Sequence, residues 1–374
     1  MSLLEIDHLT VVAAAGPGEP ETVIVDGVSL HLDEHEVLCV VGESGSGKSV
    51  TMLAAMGLLA PGLSVRSGAV RYRGEDLLTM APARLRSLRG RDLAMIFQDP
   101  MTALNPVKRV GTQLVRAIRR HRPLGRSEAR EVAVALLDKV GIPQARTRLR
   151  AYPHQWSGGM RQRALIAMAM ANDPAVLVAD EPTTALDVTV QAQVMEVLRA
   201  ARAETGAAMV MITHDLGLVA EVADRVAIMY AGRIVETGGV HEVFAAPAHP
   251  YTRALLASLL TAETIGGQAV AIAGAPPSPQ RRPPGCAFAP RCTHPARSAA
   301  CASEVPVLRT ARAGRPVACH HADEPWDAAA SPDVVGSPDV AGSPDVVAPP
   351  VVVPPPVVPP PAVAAPAVPE EAAR

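Results

Sequence analysis

The stretch "GESGSGKS", residues 42–49, decides the fold that this sequence predicts. It follows the apolar run "VLCVV" and precedes "VTMLAAMGLL", whose apolar spacing is typical of a helix. A loop of the form GxxxxGK[ST] between a strand and a helix turns backbone N–H groups towards a phosphate, and the helix N-terminus adds partial positive charge. We therefore predict that a nucleoside triphosphate binds this P-loop, which consists of Gly42, Glu43, Ser44, Gly45, Ser46, Gly47, Lys48 and Ser49.

A second stretch, "AVLVADEP" at residues 175–182, supplies the carboxylates that such a site needs. Lys48 would reach the β- and γ-phosphates, and the Ser49 hydroxyl would take a position on Mg²⁺. Asp180 ends an apolar strand and is a hard oxygen ligand for the same ion. Glu181, next to it, is well placed to polarise a water molecule against the γ-phosphate. The sequence predicts an NTPase.

The order of apolar runs predicts an α/β fold. "LLEIDHL" and "TVIVDGVSLHL" indicate an N-terminal antiparallel β subdomain, and later strand-length runs alternate with helical ones, which implies a mainly parallel sheet. Strand signals vanish over about residues 99–160, where "VGTQLVRAIRRHR" and "SEAREVAVALLDKVG" predict an inserted helical subdomain. "VAIMYAGRIVETGG" predicts a hairpin, and the nucleotide-binding domain as a whole is expected to span residues 1–262.

Composition excludes several classes of protein. The net charge is −2 and no basic block with interleaved aromatics occurs, so we expect no nucleic-acid partner. The N-terminus has no basic and apolar leader, and the apolar stretch at residues 346–368 is broken by prolines, so neither a signal peptide nor a membrane span is expected. The sequence indicates a cytosolic protein, in which structural disulfides are uncommon.

Four of the five cysteines lie in a cysteine-rich segment, residues 263–326, which we predict to be a small separate domain. Cys286, Cys292, Cys301 and Cys319 are separated by five, eight and seventeen residues. No CxxC occurs, so an ordinary zinc ribbon is excluded, whereas zinc, an iron–sulfur cluster, two disulfides and four plain thiols remain open. Because the P-loop falls in a separate domain, we expect nucleotide binding largely to persist when any one of these four cysteines is replaced. Residues 327–374, rich in Pro, Ala and Val, predict a disordered tail.

The stretch "WSGGMRQR" at residues 156–163 predicts a second anion site. Ser157 precedes two glycines and a helical run, so it is expected to cap a helix N-terminus. A second phosphate site makes little sense within one small domain. It makes sense if two chains pair, so that each P-loop faces the Ser-Gly-Gly of the other chain.

With these motifs the sequence resembles the ATP-binding subunits of ABC transporters. The resemblance implies that Gln98, in "IFQDP", senses Mg²⁺ and the attacking water and couples to the permease. It implies that the signature contacts the ATP of the partner chain, that Asp187 in "ALD" lies at the dimer seam and that His214 in "ITHD" contacts the γ-phosphate. The signature residues are Ser157, Gly158 and Gly159.

Longer stretches narrow the resemblance to one group of ABC transporters. "IFQDPMTALNP", "YPHQWSGGMRQR", "DEPTTALDVTVQAQ" and "HPYTRALL" are similar to dipeptide, oligopeptide and nickel importers, in particular to the first of their two paired ATPases. The implied function is ATP hydrolysis that powers peptide import at the cytoplasmic face of the membrane. The implied partners are a second, homologous ATPase, two permease subunits and, indirectly, an extracytoplasmic solute-binding protein. Import of nickel or another small solute remains an alternative, as does a soluble non-transport ATPase with a redox-sensing metal domain.

The resemblance also extends to the cysteines. "PPGCAFAPRC" followed by "VACH" is similar to the C-terminal extension of peptide-importer ATPases, some of which carry a 4Fe–4S cluster. It implies Cys286, Cys292, Cys301 and Cys319 as cluster ligands, with zinc as the less favoured metal. The sequence departs from its relatives at the residue that would contact the adenine base. Relatives often place an aromatic near position 13 to stack on adenine, whereas this chain has Ala13 there.

Overall fold

The strand that precedes the P-loop is buried along its whole length in the computed structural model, which describes residues 2–14, 21–184, 186–264 and 272–324. The described strands are β1 (Leu4–Ala13), β2 (Thr22–Leu32), β3 (Val37–Val41), β4 (Leu63–Tyr72), β5 (Glu75–Asp76), β6 (Leu93–Ile96), β7 (Val176–Asp180), β8 (Ala208–Thr213), β9 (Arg225–Tyr230), β10 (Arg233–Gly239), β11 (Arg309–Thr310) and β12 (Pro316–Val317). All described residues belong to one compact unit, Met1–Ala330. The predicted tail, residues 327–374, lies outside the described residues.

Helices surround the sheets. The described α-helices are α1 (Lys48–Ala55), α2 (Pro82–Leu88), α3 (Pro100–Ala103), α4 (Val110–His121), α5 (Arg126–Lys139), α6 (Ala145–Arg148), α7 (Gly158–Ala169), α8 (Val188–Thr205), α9 (Leu216–Val222), α10 (Val240–Ala245), α11 (Pro250–Thr264) and α12 (Ala300–Ser303). Short 3₁₀ helices span Pro153–Gln155, Pro279–Arg281 and Ala289–Arg291. In the part of the chain that the structure describes, no helix combines the length and apolar character needed to cross a membrane.

The central sheet is parallel where it carries the P-loop. Its order is β11-β12-β10-β9-β3-β8-β7-β6, and the pairs from β9 to β6 are parallel. In register, Val41 of β3 lies beside Thr213 of β8, and Asp180 of β7 lies beside Ile212. The carboxyl ends of these strands therefore meet at one edge of the sheet, which is where parallel α/β sheets bind ligands.

Both faces of this sheet are covered. In β3, Cys39 and Val41 belong to one core, together with buried side chains of α4, α5, α7 and α8. Leu38 and Val40 belong to a second core, which they share with α1 and with the N-terminal strands. A strand buried on both faces must be apolar without alternation, and this explains why "VLCVV" has no polar residue.

The predicted α/β architecture of the part that precedes the cysteine-rich segment is confirmed. Strands β2-β1-β4-β5 form the expected antiparallel N-terminal sheet, and β9 and β10 form the expected antiparallel hairpin. Between β6 and β7 the described elements are helical, from α3 to α7, as the loss of strand signals over residues 99–160 predicts.

The cysteine-rich segment shares the central sheet. Val317 of β12 pairs with Glu236 of β10, and β11 pairs in turn with β12. Strands of two residues have no recognisable apolar pattern, so the sequence did not predict them. The domain boundary at residue 263 stays a prediction, but the described residues after it pack directly on those before it.

A buried ion pair joins the segment to the cassette. The Glu236 carboxylate is fully buried and accepts hydrogen bonds from the backbone N–H groups of Ala248 and His249, both at 2.9 Å. The Arg315 guanidinium donates to Glu236 Oε1 through Nε at 3.0 Å, and its Nη2 lies 2.9 Å from the same oxygen and donates to the carbonyl of Ala246. These donors compensate for the loss of hydration that a buried charge suffers.

We expect Glu236→Gln to lower the free energy of unfolding by about 3–5 kcal/mol, the usual cost of leaving one partner of a buried ion pair uncompensated. Urea denaturation followed by circular dichroism measures it. Glu221→Gln is the control, because it removes a pair with Arg199 that is about half exposed and should change stability by only ~0–1 kcal/mol. Equal, small effects of the two variants would contradict the role assigned to Glu236.

Candidate functional site

The P-loop turns tightly between β3 and α1. A Cβ atom at Gly42 would lie 2.1 Å from the carbonyl oxygen of Met229 in β9, so only glycine fits there. Gly47 has a φ of +104°, a conformation open to glycine, and it forms the N-cap of α1. The carbonyl of Ser46 accepts a hydrogen bond from the N–H of Gly232 at 2.8 Å, which fastens the loop to the β9–β10 turn.

The Lys48 ammonium lies inside this loop. It is buried and donates to the carbonyls of Gly42 at 2.7 Å and Glu43 at 2.9 Å. Burial lowers the pKa of Lys48, while the carboxylates of Glu181, Asp180 and Glu43 act in the opposite direction. A cation held within the loop by weak backbone acceptors is positioned to bind an incoming phosphate.

Ser49 and Asp180 meet as the sequence predicts. The Ser49 hydroxyl donates to Asp180 Oδ1 at 2.8 Å across 131 positions of sequence. Burial raises the pKa of the Asp180 carboxyl, and the hydrogen bond from Ser49 opposes that shift. The hydroxyl and the carboxylate place two oxygens in the position where Mg²⁺ is expected. Oxygen atoms are the ligands that a hard cation such as Mg²⁺ prefers.

Glu181 is surrounded by polar side chains from three elements. Its Oε2 accepts hydrogen bonds from Gln98 Nε2 at 2.7 Å and from Thr184 Oγ1 at 2.8 Å. His214 Nδ1 lies 3.6 Å from Oε1. Glu181 also has a φ of +44°, a conformation that costs energy in a residue with a side chain and that is concentrated at functional sites.

The structure thus brings the predicted Gln98, Glu181 and His214 together. Thr184 was missed by the sequence reasoning, although it lies in the quoted stretch "DEPTTALD", because a threonine three residues after the glutamate has no distinctive pattern. Tyr251 was also missed: its hydroxyl accepts a hydrogen bond from the P-loop N–H of Glu43 at 2.9 Å.

The signature residues lie at the start of α7. Ser157 is the N-cap, as predicted, and accepts a hydrogen bond from the N–H of Met160 at 3.3 Å. Asp187 caps α8 in the same way and accepts from Val190 at 3.0 Å. Gly159 packs on α8 so closely that an added Cβ would lie 2.4 Å from Val190 Cγ1. Ser157 and Gly158 remain exposed.

Ala13, the residue at which the sequence departs from the pattern for stacking on adenine, is the last residue of β1. It is half-buried and pairs with Thr22 and Leu63 in the antiparallel sheet.

The four cysteines of the segment line one small cavity of about 10 Å³, and none of them forms a disulfide. Burial raises the pKa of Cys286 and Cys292, and it raises that of Cys319 to about 12. The donor set is therefore four gathered thiols, which fits a soft metal. Their side-chain geometry is not that of a formed site: among the described residues, no group of three or more His, Cys, Asp or Glu is arranged to hold a metal ion.

Comparison with known families identifies the class of protein. Residues 25–184 match the model of the ABC transporter family, and residues 235–301 match that of the oligopeptide/dipeptide transporter C-terminal region. A peptide import ATP-binding protein of Brucella abortus is 49% identical over 306 residues, which cover 82% of this chain and 91% of the relative. The chain belongs to the ABC transporter family. It is an ABC ATPase, for which ATP and Mg²⁺ are the expected cofactors.

Further similar proteins support the same family assignment. The oligopeptide transport ATP-binding protein of Bacillus subtilis is 48% identical over 295 residues, covering 78% of this ABC ATPase and 82% of the relative. A dimeric ATP-binding cassette solved with ADP and phosphate has a TM-score of 0.57 at 24% identity, covering 63% of this chain and 98% of that one. The cbiO1 subunit of Clostridium perfringens has a TM-score of 0.55 at 24% identity, covering 71% and 96%. At this identity the two solved structures establish the fold alone.

We expect Glu181→Gln to keep ATP binding and to lower the steady-state rate of hydrolysis by the assembled transporter by ~10²–10⁴-fold, since an amide cannot act as a general base. Phosphate release measures hydrolysis, and binding of a fluorescent ATP analogue measures affinity. Glu196→Gln, an exposed change on α8, is the control and should leave both unchanged. Hydrolysis at the wild-type rate by Glu181→Gln would show that another group activates the water.

Proposed function

We propose that the chain is the ATP-hydrolysing subunit of a membrane ABC transporter that imports peptides. The observation that carries the proposal is the edge of the central sheet, where Lys48, the Ser49–Asp180 pair and Glu181 come together. The names of the relatives from Brucella abortus and Bacillus subtilis and the match to the oligopeptide/dipeptide C-terminal model support peptides as cargo. They do not favour nickel import or a soluble non-transport ATPase.

In the proposed reaction each of these side chains has a separate task, which is set by the group that it contacts. Lys48 leaves its backbone acceptors and binds the β- and γ-phosphates. Ser49 and Asp180 would hold Mg²⁺, which would neutralise charge on the phosphates. Glu181 accepts a proton from the attacking water, and Gln98 and Thr184 keep its carboxylate oriented by donating to Oε2. His214, whose side chain is 66% exposed, is free to turn from Glu181 towards the γ-phosphate.

The proposed partners follow from the exposed signature. Ser157 and Gly158 are presented at the start of α7, where the helix N-terminus favours an anion. We propose that they contact ATP bound to a second, homologous ATPase, with Asp187 at the seam between the two chains. Two transmembrane permease subunits, which this chain would contact at the cytoplasmic face of the membrane, and a solute-binding protein on the other side complete the proposed transporter.

Reconstitution tests this function. We expect the isolated chain to hydrolyse ATP slowly, and the rate to rise when the second ATPase and the permeases are present in proteoliposomes with a peptide-loaded binding protein. Ser157→Arg, which blocks the signature, should abolish the rise and leave ATP binding by the isolated chain intact. Full turnover by a monomer, independent of concentration, would contradict the composite site. Stimulation by nickel in place of peptide would reject the proposed cargo.

We further propose that Cys286, Cys292, Cys301 and Cys319 hold a 4Fe–4S cluster. What supports it is that the four thiols line one cavity and that none is oxidised to a disulfide. A cavity of about 10 Å³ holds no more than a water molecule, so the thiols must turn and the cavity must widen when the cluster is loaded. The cluster would hold the segment together, a role that metals often take in segments with few large apolar residues.

Iron content tests this proposal. Anaerobically purified protein should be brown and contain about four iron atoms per chain, as four-thiolate clusters of this type require. Alanine at any one of the four positions should remove most of the iron, whereas Cys39→Ala, at a buried thiol of β3, should not. Zinc in the anaerobic protein would reject the cluster, and the absence of any metal would reject a metal site altogether.

A further inference from the structure

One arginine of the cysteine-rich segment contacts the P-loop. The Arg291 guanidinium binds both oxygens of the Glu43 carboxylate, with Nη1 2.8 Å from Oε2 and Nη2 2.9 Å from Oε1. The Arg291 side chain is 5% exposed and that of Glu43 is 24% exposed. Pairing at two points fixes the orientation of the carboxylate in addition to neutralising its charge.

The backbone of Glu43 is held at both of its polar groups. Its N–H donates to the Tyr251 hydroxyl at 2.9 Å, and its carbonyl accepts from the Lys48 ammonium at 2.9 Å. Tyr251 belongs to α11 and is fully buried. Arg291 and the phosphate-binding ammonium of Lys48 therefore act on one and the same residue of the loop.

Arg291 is held in turn by its own surroundings. The N–H of Arg291 donates to the carbonyl of Phe288 at 2.9 Å within the turn that runs from Cys286 to Cys292. The Phe288 ring packs edge-on against Tyr230, with centroids 5.3 Å apart and planes at 90°. Arg291 Nη1 also lies 3.2 Å from the Tyr230 hydroxyl. The guanidinium is thus presented to Glu43 by a packed turn, which limits its freedom to leave.

A carboxylate on a phosphate-binding loop needs a positively charged partner, and for Glu43 that partner is Arg291. Glu43 places negative charge where ATP brings more, and like charges in a partly buried site repel strongly because water screens them poorly. Arg291 cancels that charge and draws the carboxylate towards the segment. Without it, Glu43 would oppose the anion, and the loop would lose a point of attachment next to the Lys48 acceptor.

We propose that Arg291 is a positioning residue for the P-loop: it neutralises and fixes Glu43, and ATP binding depends on it. The proposal rests on the proposed function, since it assigns ATP to this loop. It also means that the P-loop is not separate from the cysteine-rich segment, which was the ground for expecting nucleotide binding to persist in the cysteine variants, because that segment supplies the counter-ion of a P-loop residue.

Binding of Mg-ATP to the full chain, measured by calorimetry, tests the proposal. Arg291→Ala should raise the dissociation constant about tenfold, the effect of one uncompensated charge roughly 10 Å from another at an effective dielectric constant near 20. Adding Glu43→Gln to Arg291→Ala should restore most of the affinity, since the neutral side chain no longer repels the anion. Rescue of this kind distinguishes charge compensation from a merely structural role.

The matched control is Arg315→Ala, because Arg315 is also a buried arginine of the segment paired with a cassette carboxylate, Glu236, but does not touch the P-loop. It should lower the unfolding temperature and leave ATP affinity unchanged. If Arg291→Ala does not fold, Arg291→Gln, which keeps a long polar side chain and removes the charge, should still bind ATP more weakly than the control.

Unchanged affinity of the Arg291 variants, or no rescue by Glu43→Gln, would overturn the inference while leaving the proposed function intact. Lys48→Ala separates the two: if the wild-type chain binds no ATP, or if Lys48→Ala binds as well as the wild type, the proposed function fails and this inference fails with it.

Discussion

The parallel register of β3, β8, β7 and β6 is the constraint on which the site depends. Because these strands run in one direction and in step, their carboxyl ends deliver the P-loop, His214, the pair Asp180–Glu181 and Gln98 to the same edge of the sheet. The register is in turn held by burial on both faces, since a slip of one residue would exchange the side chains that the two cores receive.

The electrostatics of the edge explain how a buried ammonium is tolerated next to several carboxylates. Lys48 is satisfied by two carbonyls of its own loop, and the neighbouring carboxylates oppose the effect of burial on its pKa. Asp180 is held by the Ser49 hydroxyl, and Glu181 by Gln98 and Thr184. Each of these groups has a protein partner before the ligand arrives. Lys48 would exchange its two carbonyls for phosphate, whereas Glu181 would keep Gln98 and Thr184.

Local chemistry was predictable from the sequence, and long-range contacts were not. The P-loop, the N-cap role of Ser157 and the strand that ends in Asp180 each follow from a few consecutive residues, and the structure has them as predicted. The contact between Arg291 and Glu43 joins residues 248 positions apart, and neither residue is unusual in its own stretch. The resemblance of the cysteine-rich segment implied that its four cysteines lie together, and they do line one cavity, but a sequence pattern cannot set the angles of the thiols.

The most direct measurement is the position of Mn²⁺, located by anomalous scattering, in crystals of the full chain grown with Mn²⁺ and a non-hydrolysable ATP analogue. The account predicts the triphosphate on the P-loop and the ion beside the Ser49 hydroxyl and Asp180, with Lys48 turned from its carbonyls to the phosphates. An ion bound elsewhere, or a nucleotide away from residues 42–49, would contradict it.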